Sequence, residues 1–503
     1  MHKTIHHQAW VFGVCRRAVS ATLASLTMIT VAITATPLAH AQNFNSFSTV
    51  YSFGSTQGDA VNPSAAFVID AQGNMYSTTA TGGAFGYGTV YKIAVTGKES
   101  VLYSFTGIAG DGATPQGPVI VDAQGNLYGT TEYGGDLSCP NSLGCGTVFK
   151  LDTAGNETIL HTFTGTGDGA NPIGGIVTDS QGNLYGTTIS GGPQGAGVVY
   201  KLDPSGTETV LALESGTGIF LESGGNLYGT GQDWVFELTA GGNLITLFGF
   251  PSFSDATPGV VTDGQGNFYG SVTFGGYEHK KRPIGSGFVY KADSHGNVTI
   301  LHEFCGAGSP ASCPDGAWPY GGLVTDSAGN LYGMTSHGGK GGNGLVFVID
   351  PSTGNESVLH NFMSQESGPY RPMANLAIDG QGNLYGTTQL GSPTRAGAAF
   401  DMLTPATQSR ITLTSSPNPS SFGEAVTFTT TVSGASSPGD GEMVSFFKGK
   451  TLLGTGTLTG GTATFITSTL KTGTTTVTVL YSGDLRLSAG ANIVKQVVKK
   501  VKD

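Results

Sequence analysis

Short runs of alternating apolar and polar residues, four to a unit and punctuated by glycine-bearing turns, recur along most of this chain. In one unit the runs are residues 118–122, 126–131, 146–151 and 157–163, here named a, b, c and d. Period-two alternation over stretches this short is the pattern of half-buried strands. The a–b link Asp122-Ala123-Gln124-Gly125-Asn126 and the c–d link Asp152-Thr153-Ala154-Gly155-Asn156 carry hairpin chemistry. Their Asp bonds the backbone two residues on, and their Gly takes the positive φ of a tight turn.

The b run marks the unit. Gly-Asn-Leu-Tyr or a close variant begins at Gly73, Gly125, Gly182, Gly225, Gly266, Gly329 and Gly382, with Asn-to-Asn steps of 52, 57, 43, 41, 63 and 53 residues. Repeats at this period predict a propeller or a solenoid, and four antiparallel strands per unit match a propeller blade. The fourth unit is short and lacks a long b–c loop, yet it retains the a, b and c runs and counts as a blade. The last unit has a, b and c runs (375–379, 383–388, 398–403) and no d. Ahead of the first unit, Thr49-Val50-Tyr51-Ser52-Phe53 matches the d runs at 101–105 and 358–362. The expectation is therefore an all-β chain with a seven-bladed β-propeller over residues 48–403, closed three-plus-one by the N-terminal strand. Closure removes exposed edges; an open solenoid is the alternative.

Beyond residue 403 the chain becomes Thr- and Val-rich with strict alternation, as in Val426-Thr427-Phe428-Thr429 and Thr476-Val477-Thr478-Val479. Short strands with Gly and Pro turns over residues 411–500 predict a β-sandwich, joined by a linker at 404–410. At the other end, Lys3, Arg16 and Arg17 precede an apolar stretch over 18–35, and Ala39-His40-Ala41 supplies a cleavage site before Gln42. Residues 1–41 read as a secretory signal peptide, with an uncleaved membrane anchor as the alternative; no membrane span is expected in the mature chain.

Composition sharpens this picture. The 81 glycines sit at fixed repeat positions, so they read as turn residues rather than as a sign of disorder. The net charge is −11, and loss of the leader removes three basic residues and no acid. With no basic stripe, nucleic acid is excluded as a partner; His279-Lys280-Lys281-Arg282 reads as a solvated loop tip. Four cysteines remain after the leader, and the local pairs Cys139–Cys145 and Cys305–Cys313 read as loop-closing disulfides in an exported chain.

Two resemblances follow. Gly125-Asn126-Leu127-Tyr128-Gly129-Thr130-Thr131, Gly134-Gly135 and Gly146-Thr147-Val148-Phe149-Lys150 resemble the bacterial extracellular tandem repeat called GloVer, over about residues 48–403. Departures are Ser77 for Gly in the first b strand and Ala398-Ala399-Phe400-Asp401 in the last c strand. The tail resembles a bacterial Ig-like repeat domain in Ser415-Ser416-Pro417-Asn418-Pro419, Gly423, Val426-Thr427-Phe428, Leu453-Gly454 and Tyr481-Ser482-Gly483-Asp484. Both resemblances imply exported or surface-attached bacterial proteins, and neither supplies a catalytic residue.

Candidate chemistry falls on the loops. The d–a and b–c loops are long, variable and hold both cysteine pairs, so a ligand is expected at that end of the strands. The d–a loops end in x-Pro, and the preceding residues are Asn62, Thr114, Asn171, Thr257, Trp318 and Arg371. With strand a innermost they ring a channel mouth. Trp318, Tyr320, Tyr370 and Arg371 depart from the small polar norm and suit a sugar ring or an acidic glycan, with Asn62 and Asn171 as further contacts; loop packing is the competing reading. His161, His302 and His360 share a d-strand slot with Tyr51 and Tyr103 and read as structural; His337 stands alone in a b–c loop. The repeated Asp70, Asp122, Asp179, Asp263, Asp326 and Asp379 occur one per blade, which suits turns better than calcium. No metal, no cofactor and no catalytic residue are expected, since no G-x-S-x-G, H-E-x-x-H or phosphate loop is present. The leading expectation is an exported binding or adhesion protein for carbohydrate or another surface polymer. The alternatives are a propeller lyase or hydrolase with its site at the channel mouth, and a purely structural surface protein.

Overall fold

The computed structural model describes residues 44, 46–139, 142–214, 216–221, 225–231, 234–250, 257, 259–275, 285–293, 295–305, 313–363, 368–391, 394–404, 409–434, 438, 441–481, 487 and 490–501. The expected signal peptide, residues 405–408 of the expected linker, the basic cluster at 279–282, Pro258 and residues 482–484 of the tail motif lie outside the described residues.

The repeat region forms seven antiparallel sheets built on four strands each, the first of them with a fifth. Sheet 1 holds Val68–Ile69, Met75–Gly82, Thr89–Ile93 and Glu99–Ser104, and Ala60–Pro63 adds to the far end of its second strand. Sheets 2 to 6 repeat the a-b-c-d order, ending in Glu157–Thr162, Glu208–Ala212, Leu244–Gly249, Val298–Glu303 and Glu356–Asn361. Sheet 7 takes Ala377–Ile378, Leu384–Thr388 and Ala398–Leu403 from the C-terminal end of the region, and Ser46–Ser52 from the N-terminal end. That last strand runs antiparallel to Ala398–Leu403, as the matching run at 49–53 predicts.

The recurring b motif has a packing reason at each position. In sheets 2 to 7 its second Gly lies under the ring of a c-strand aromatic; a Cβ on Gly129 would meet the Phe149 ring at 2.7 Å. In sheet 1, Ser77 takes this place, and its hydroxyl donates to the Ala65 carbonyl at 3.1 Å. The Thr that follows reaches the next sheet. Thr78, Thr130 and Thr187 donate to the carbonyls of Gly117, Gly174 and Gly216 at 2.9, 3.0 and 2.8 Å, and Ser271 does the same to Gly321 at 3.0 Å.

Those bonds also explain why the a strands are shorter than their five-residue pattern suggests. In sheet 2 the ladder covers only Ile120–Val121. Ahead of it a neighbouring sheet's hydroxyl takes the Gly117 carbonyl, and behind it Asp122 turns the chain by accepting the N–H groups of Gln124 and Asn126. Sheet 4 is the exception, with Gly218–Leu221 in its a strand.

Seven apolar clusters lie between sheets, and each joins a consecutive pair. Val90 and Phe105 of sheet 1 pack with Leu127 and Phe149 of sheet 2, and the series continues sheet by sheet. The seventh cluster packs Phe53, Tyr385 and Ala399 of sheet 7 against Met75 and Tyr91 of sheet 1. The order of contacts is therefore cyclic.

The tail forms a three-stranded sheet (Arg410–Ser416, Val426–Ser433, Thr462–Thr467) and a five-stranded sheet whose longest members are Gly473–Tyr481 and Gly490–Lys499. The buried sides of both sheets share one core around Phe428, Phe446, Val477 and Val479. The secondary structure of the described residues is strands, bridges and turns, and no helix among them is long and apolar enough to cross a membrane.

Candidate functional site

At five of the recurring x-Pro positions, local chemistry and position coincide in the residue before the proline. Asn62, Thr114, Asn171, Trp318 and Arg371 have φ of 55°, 55°, 56°, 58° and 60°. The left-handed region costs an L-residue roughly 1–2 kcal/mol, and a bulky aromatic there is a true outlier. Two sheets hold each residue in place. The N–H of Trp318 donates to the Ser286 carbonyl of sheet 5 at 2.8 Å, while its own carbonyl accepts from the Ser336 N–H of sheet 6 at 3.0 Å. The N–H groups of the other four likewise bond carbonyls of the preceding sheet at 2.8–3.0 Å.

The side chains at these five positions then divide. Asn62 Nδ2 donates to Thr81 Oγ1 at 3.1 Å; Asn171 Nδ2 donates to the Glu132 carbonyl at 3.1 Å, and its Oδ1 accepts from Ser190 Oγ at 2.7 Å. Both asparagine side chains are thus engaged within the chain. Tyr370 packs against the cluster between sheets 6 and 7, with Phe362 and Phe400 in the core of that cluster.

Trp318 sits in an aromatic group. Its ring lies edge-on to Phe274 at 5.9 Å and to His337 at 4.5 Å, and Phe274 in turn meets Tyr320 at 6.0 Å. The indole N–H of Trp318 is buried without an acceptor among the described residues. His337 Nδ1 is 2.9 Å from Ser336 Oγ. Burial holds the His337 imidazole below its ordinary value, and the charge of exposed Arg371 lowers it further. Phe274 and His337 come from b–c loops, which sequence spacing alone does not align with the x-Pro positions. The structure therefore gathers Trp318, Tyr320 and Arg371 with Phe274 and His337, and leaves Asn62, Asn171 and Tyr370 in other contacts.

A central cavity of about 270 Å³ is lined by residues from all seven sheets. Among the described residues its polar side chains are neutral: Ser64, Gln116, Thr217, Tyr320 and Asn375. Of the six expected contact residues only Tyr320 lines it; the x-Pro residues themselves stand outside its wall. The wall is tight because the a strands start close together. A Cβ on Gly321 would contact the Ala374 carbonyl of the next sheet, and one on Gly117 would come 2.5 Å from the Gly174 carbonyl.

Titratable groups concentrate in two other places. In the a–b turns one carboxylate takes four donors: Asp122 accepts from the N–H groups of Gln124 and Asn126, from Asn126 Nδ2 at 2.7 Å and from Tyr128 Oη at 3.1 Å. Burial works to raise Asp122, and these donors outweigh it and hold the carboxyl below its usual range. The same set recurs at Asp179, and no cluster of potential metal ligands occurs among the described residues.

The second place lies between neighbouring d strands. At four junctions a Tyr or His of one sheet, an Asp of the following loop and a Glu opening the next d strand come together. Tyr51 donates to Asp59 at 3.0 Å, Tyr103 to Glu157 at 3.1 Å, and His161 and His302 pair with Asp168 and Asp315 at 3.2 and 3.4 Å. Burial first, and the neighbouring aspartate second, push Glu99 and Glu157 up to about 7. Burial does the same to Glu356, with His302 opposing and Asp315 adding. Each of Glu99, Glu157, Glu208 and Glu356 has a buried Oε1 without a hydrogen-bond partner. At the next junction His360 instead stacks on Phe47 at 3.7 Å, and burial lowers it to about 4.

Both expected disulfides are formed, with Cα separations of 5.8 Å for Cys139–Cys145 and 4.9 Å for Cys305–Cys313. Each ties a loop at the end of the strands that carries Trp318.

Among solved structures, the chain is similar to the extracellular domain of a putative hybrid two component system from Bacteroides thetaiotaomicron, at 13% identity and a TM-score of 0.44. That alignment covers 90% of this chain, and the chain spans 57% of the length of its counterpart. A putative 6-phosphogluconolactonase from Bacteroides uniformis is similar at 15% identity and a TM-score of 0.38, covering 62% of this chain and 88% of the other. A gluconolactonase from Xanthomonas campestris aligns at 16% identity and a TM-score of 0.34, covering 71% and 88%. No match is found among curated proteins. The sequence profile described as the Gloeobacter/Verrucomicrobia repeat matches residues 40–139, 137–312 and 217–466. These segments take in most of the sequence, and the chain belongs to the Gloeobacter/Verrucomicrobia repeat family.

Proposed function

We propose that this protein is an exported or cell-surface binding protein. In this reading the seven sheets are the blades of a closed seven-bladed β-propeller, and the tail is an Ig-like β-sandwich acting as a spacer or second contact module. The two disulfides support an oxidising location outside the cytoplasm. The ligand is a carbohydrate or a similar surface polymer, and it binds where Trp318, Tyr320 and Arg371 meet Phe274 and His337.

One observation carries this choice of site. Trp318 combines a left-handed backbone with a buried indole N–H that has no acceptor among the described residues. Each feature costs stability, and such costs persist where a site requires them. Aromatic faces beside a guanidinium suit the apolar faces of a sugar ring and a nearby carboxylate or hydroxyl. The neutral lining of the central cavity supports binding over an acid–base reaction there.

A glycan-array screen of the exported chain, beside Trp318→Ala and Arg371→Ala variants, tests the proposal. Binding that Trp318→Ala abolishes, with acidic glycans selectively weakened by Arg371→Ala, is the expected result. An array on which the parent chain binds nothing, or on which Trp318→Ala binds as the parent does, removes this site.

A further inference from the structure

The junction between sheets 3 and 4 differs from the others in what its strands supply. Elsewhere the d strand sets a large side chain opposite a buried valine: Tyr103 opposite Val90, His161 opposite Val148, His302 opposite Val289, His360 opposite Val346. In sheet 3 that position, opposite Val199, is Ala212. Two residues on, where Phe105, Phe163, Phe304 and Phe362 are buried, stands Glu214. The junction's core is correspondingly small, with Val199, Leu227, Phe236 and Leu238 its fully buried members among the described residues.

A cleft of about 640 Å³ opens at this same junction, at the turn end of the strands, against about 260 Å³ for the cleft between sheets 7 and 1. Its size falls within the range of small-molecule sites. The wall from sheet 4 belongs to a cross-strand row of leucines, Leu221, Leu227, Leu238 and Leu244. In sheets 1, 2, 3 and 6 the d-strand member of that row is Glu99, Glu157, Glu208 or Glu356. Leu244 is 40% exposed, so apolar surface continues to solvent. From sheet 3 the cleft receives Leu211, Tyr185 and Lys201.

Lys201 supplies the one cationic group among the described residues of this lining. Its ammonium lies 5.9 Å from the Tyr185 ring centroid, and the ion pairs found among the described residues are both His–Asp pairs elsewhere. The nearby Asp179 carboxylate is saturated by two backbone N–H groups, Asn183 Nδ2 and Tyr185 Oη. The described lining thus pairs an aliphatic wall with the ammonium of Lys201, while the Asp179 carboxylate is turned to the donors of its own turn. The cleft lies among the a–b and c–d turns, at the opposite end of the strands from Trp318.

We propose that the cleft between sheets 3 and 4 is a second binding site, specific for an aliphatic carboxylate. The hydrocarbon chain packs on the leucine row and the carboxylate meets Lys201. This assignment is independent of the sugar site at Trp318.

Calorimetric titration of the exported chain with decanoate, and with decanol as the neutral analogue, tests it. Two variants separate the contributions: Ala240→Trp, at an exposed turn residue of the cleft, blocks entry, and Lys201→Gln removes the charge. Saturable decanoate binding is expected, lost in Ala240→Trp and weakened about tenfold in Lys201→Gln, while decanol binding is unchanged by Lys201→Gln. Both variants are expected to keep the parental melting temperature. Absence of saturable binding, or equal binding by Ala240→Trp, overturns the site; a Lys201→Gln variant that binds decanoate as the parent does overturns the carboxylate assignment.

Discussion

Pro172 of sheet 3 lies directly against Gly146 of sheet 2, so that a Cβ built on the glycine would come 2.7 Å from the proline Cδ. The relationship recurs around the repeat region. Pro115 meets Gly88, Pro319 meets Gly287, Pro372 meets Gly344, and Pro63 near the N-terminus meets Gly397 of the last unit, all at 2.6–3.1 Å by the same measure. The carbonyl of each of these glycines also accepts the N–H of a d-strand Phe at 3.0 Å. Proline, glycine and phenylalanine therefore form one device that locks each of these sheets to the next.

Substitution of the glycine breaks that device twice. Gly146 has φ +92°, and an added Cβ would also strike the Thr131 carbonyl. Gly146→Ala is expected to lower stability by about 2 kcal/mol or more, read as a fall in the denaturation midpoint. Gly195→Ala provides the comparison: its φ is +74° and nothing lies within 4 Å of the added atom, so it carries only the backbone penalty.

Removal of the N-terminal strand tests closure. Ser46–Ser52 covers the edge of Ala398–Leu403, and Phe53 is buried in the cluster joining sheets 7 and 1. A chain lacking residues 46–53 exposes both a strand edge and an apolar cluster. It is expected to self-associate in light scattering and to melt at lower temperature than the parent.

The half-buried glutamates Glu99, Glu157 and Glu356 give a pH dependence with a definite sign. Their carboxyls titrate at about 7 in the folded protein, above the ordinary value of 4.5. The folded state holds more protons than the unfolded state in this window, so stability falls as pH rises from about 4.5 through 7. His360 runs the other way, since its lowered value costs stability as pH drops from 6.5 toward 4. The contribution of one glutamate is therefore read as a difference. Glu157→Gln, neutral at every pH, is expected to melt closer to the parent at pH 5 and relatively higher at pH 8.

Reduction of the disulfides is expected to loosen the loops around the candidate sugar site more than the sheets. Each bridge closes a short loop, a constraint worth about 2 kcal/mol on the chain-entropy view. Melting with and without reductant, together with proteolysis of the loops at 139–145 and 305–313, checks this outcome.

How much of this was legible in the chain differs from residue to residue. The Gly-Asn-Leu-Tyr marker, the a–b Asp and the match between residues 49–53 and later d runs are local patterns, and the pairing of Ser46–Ser52 with Ala398–Leu403 follows from them. The short a strands were not legible, because the hydroxyls that take their carbonyls belong to a neighbouring sheet. Asn62 and Asn171 read as candidate contacts from their place before proline, yet their amides bond the Thr81 hydroxyl and the Glu132 carbonyl, 19 and 39 residues away. Phe274 and His337 were not grouped with Trp318, since b–c loop lengths vary and give no register across sheets.

By itself the sequence determined the repeat, its strands and its turns, because alternation, glycine φ and Asx chemistry act within a few residues of one another. The tertiary structure alone decided which side chains converge. Leu221 and Lys201 look unremarkable in one dimension, and only the packing of sheet 3 against sheet 4 places both on one cleft. Packing between sheets depends on volumes contributed by two strands distant in sequence, and no local pattern records their sum.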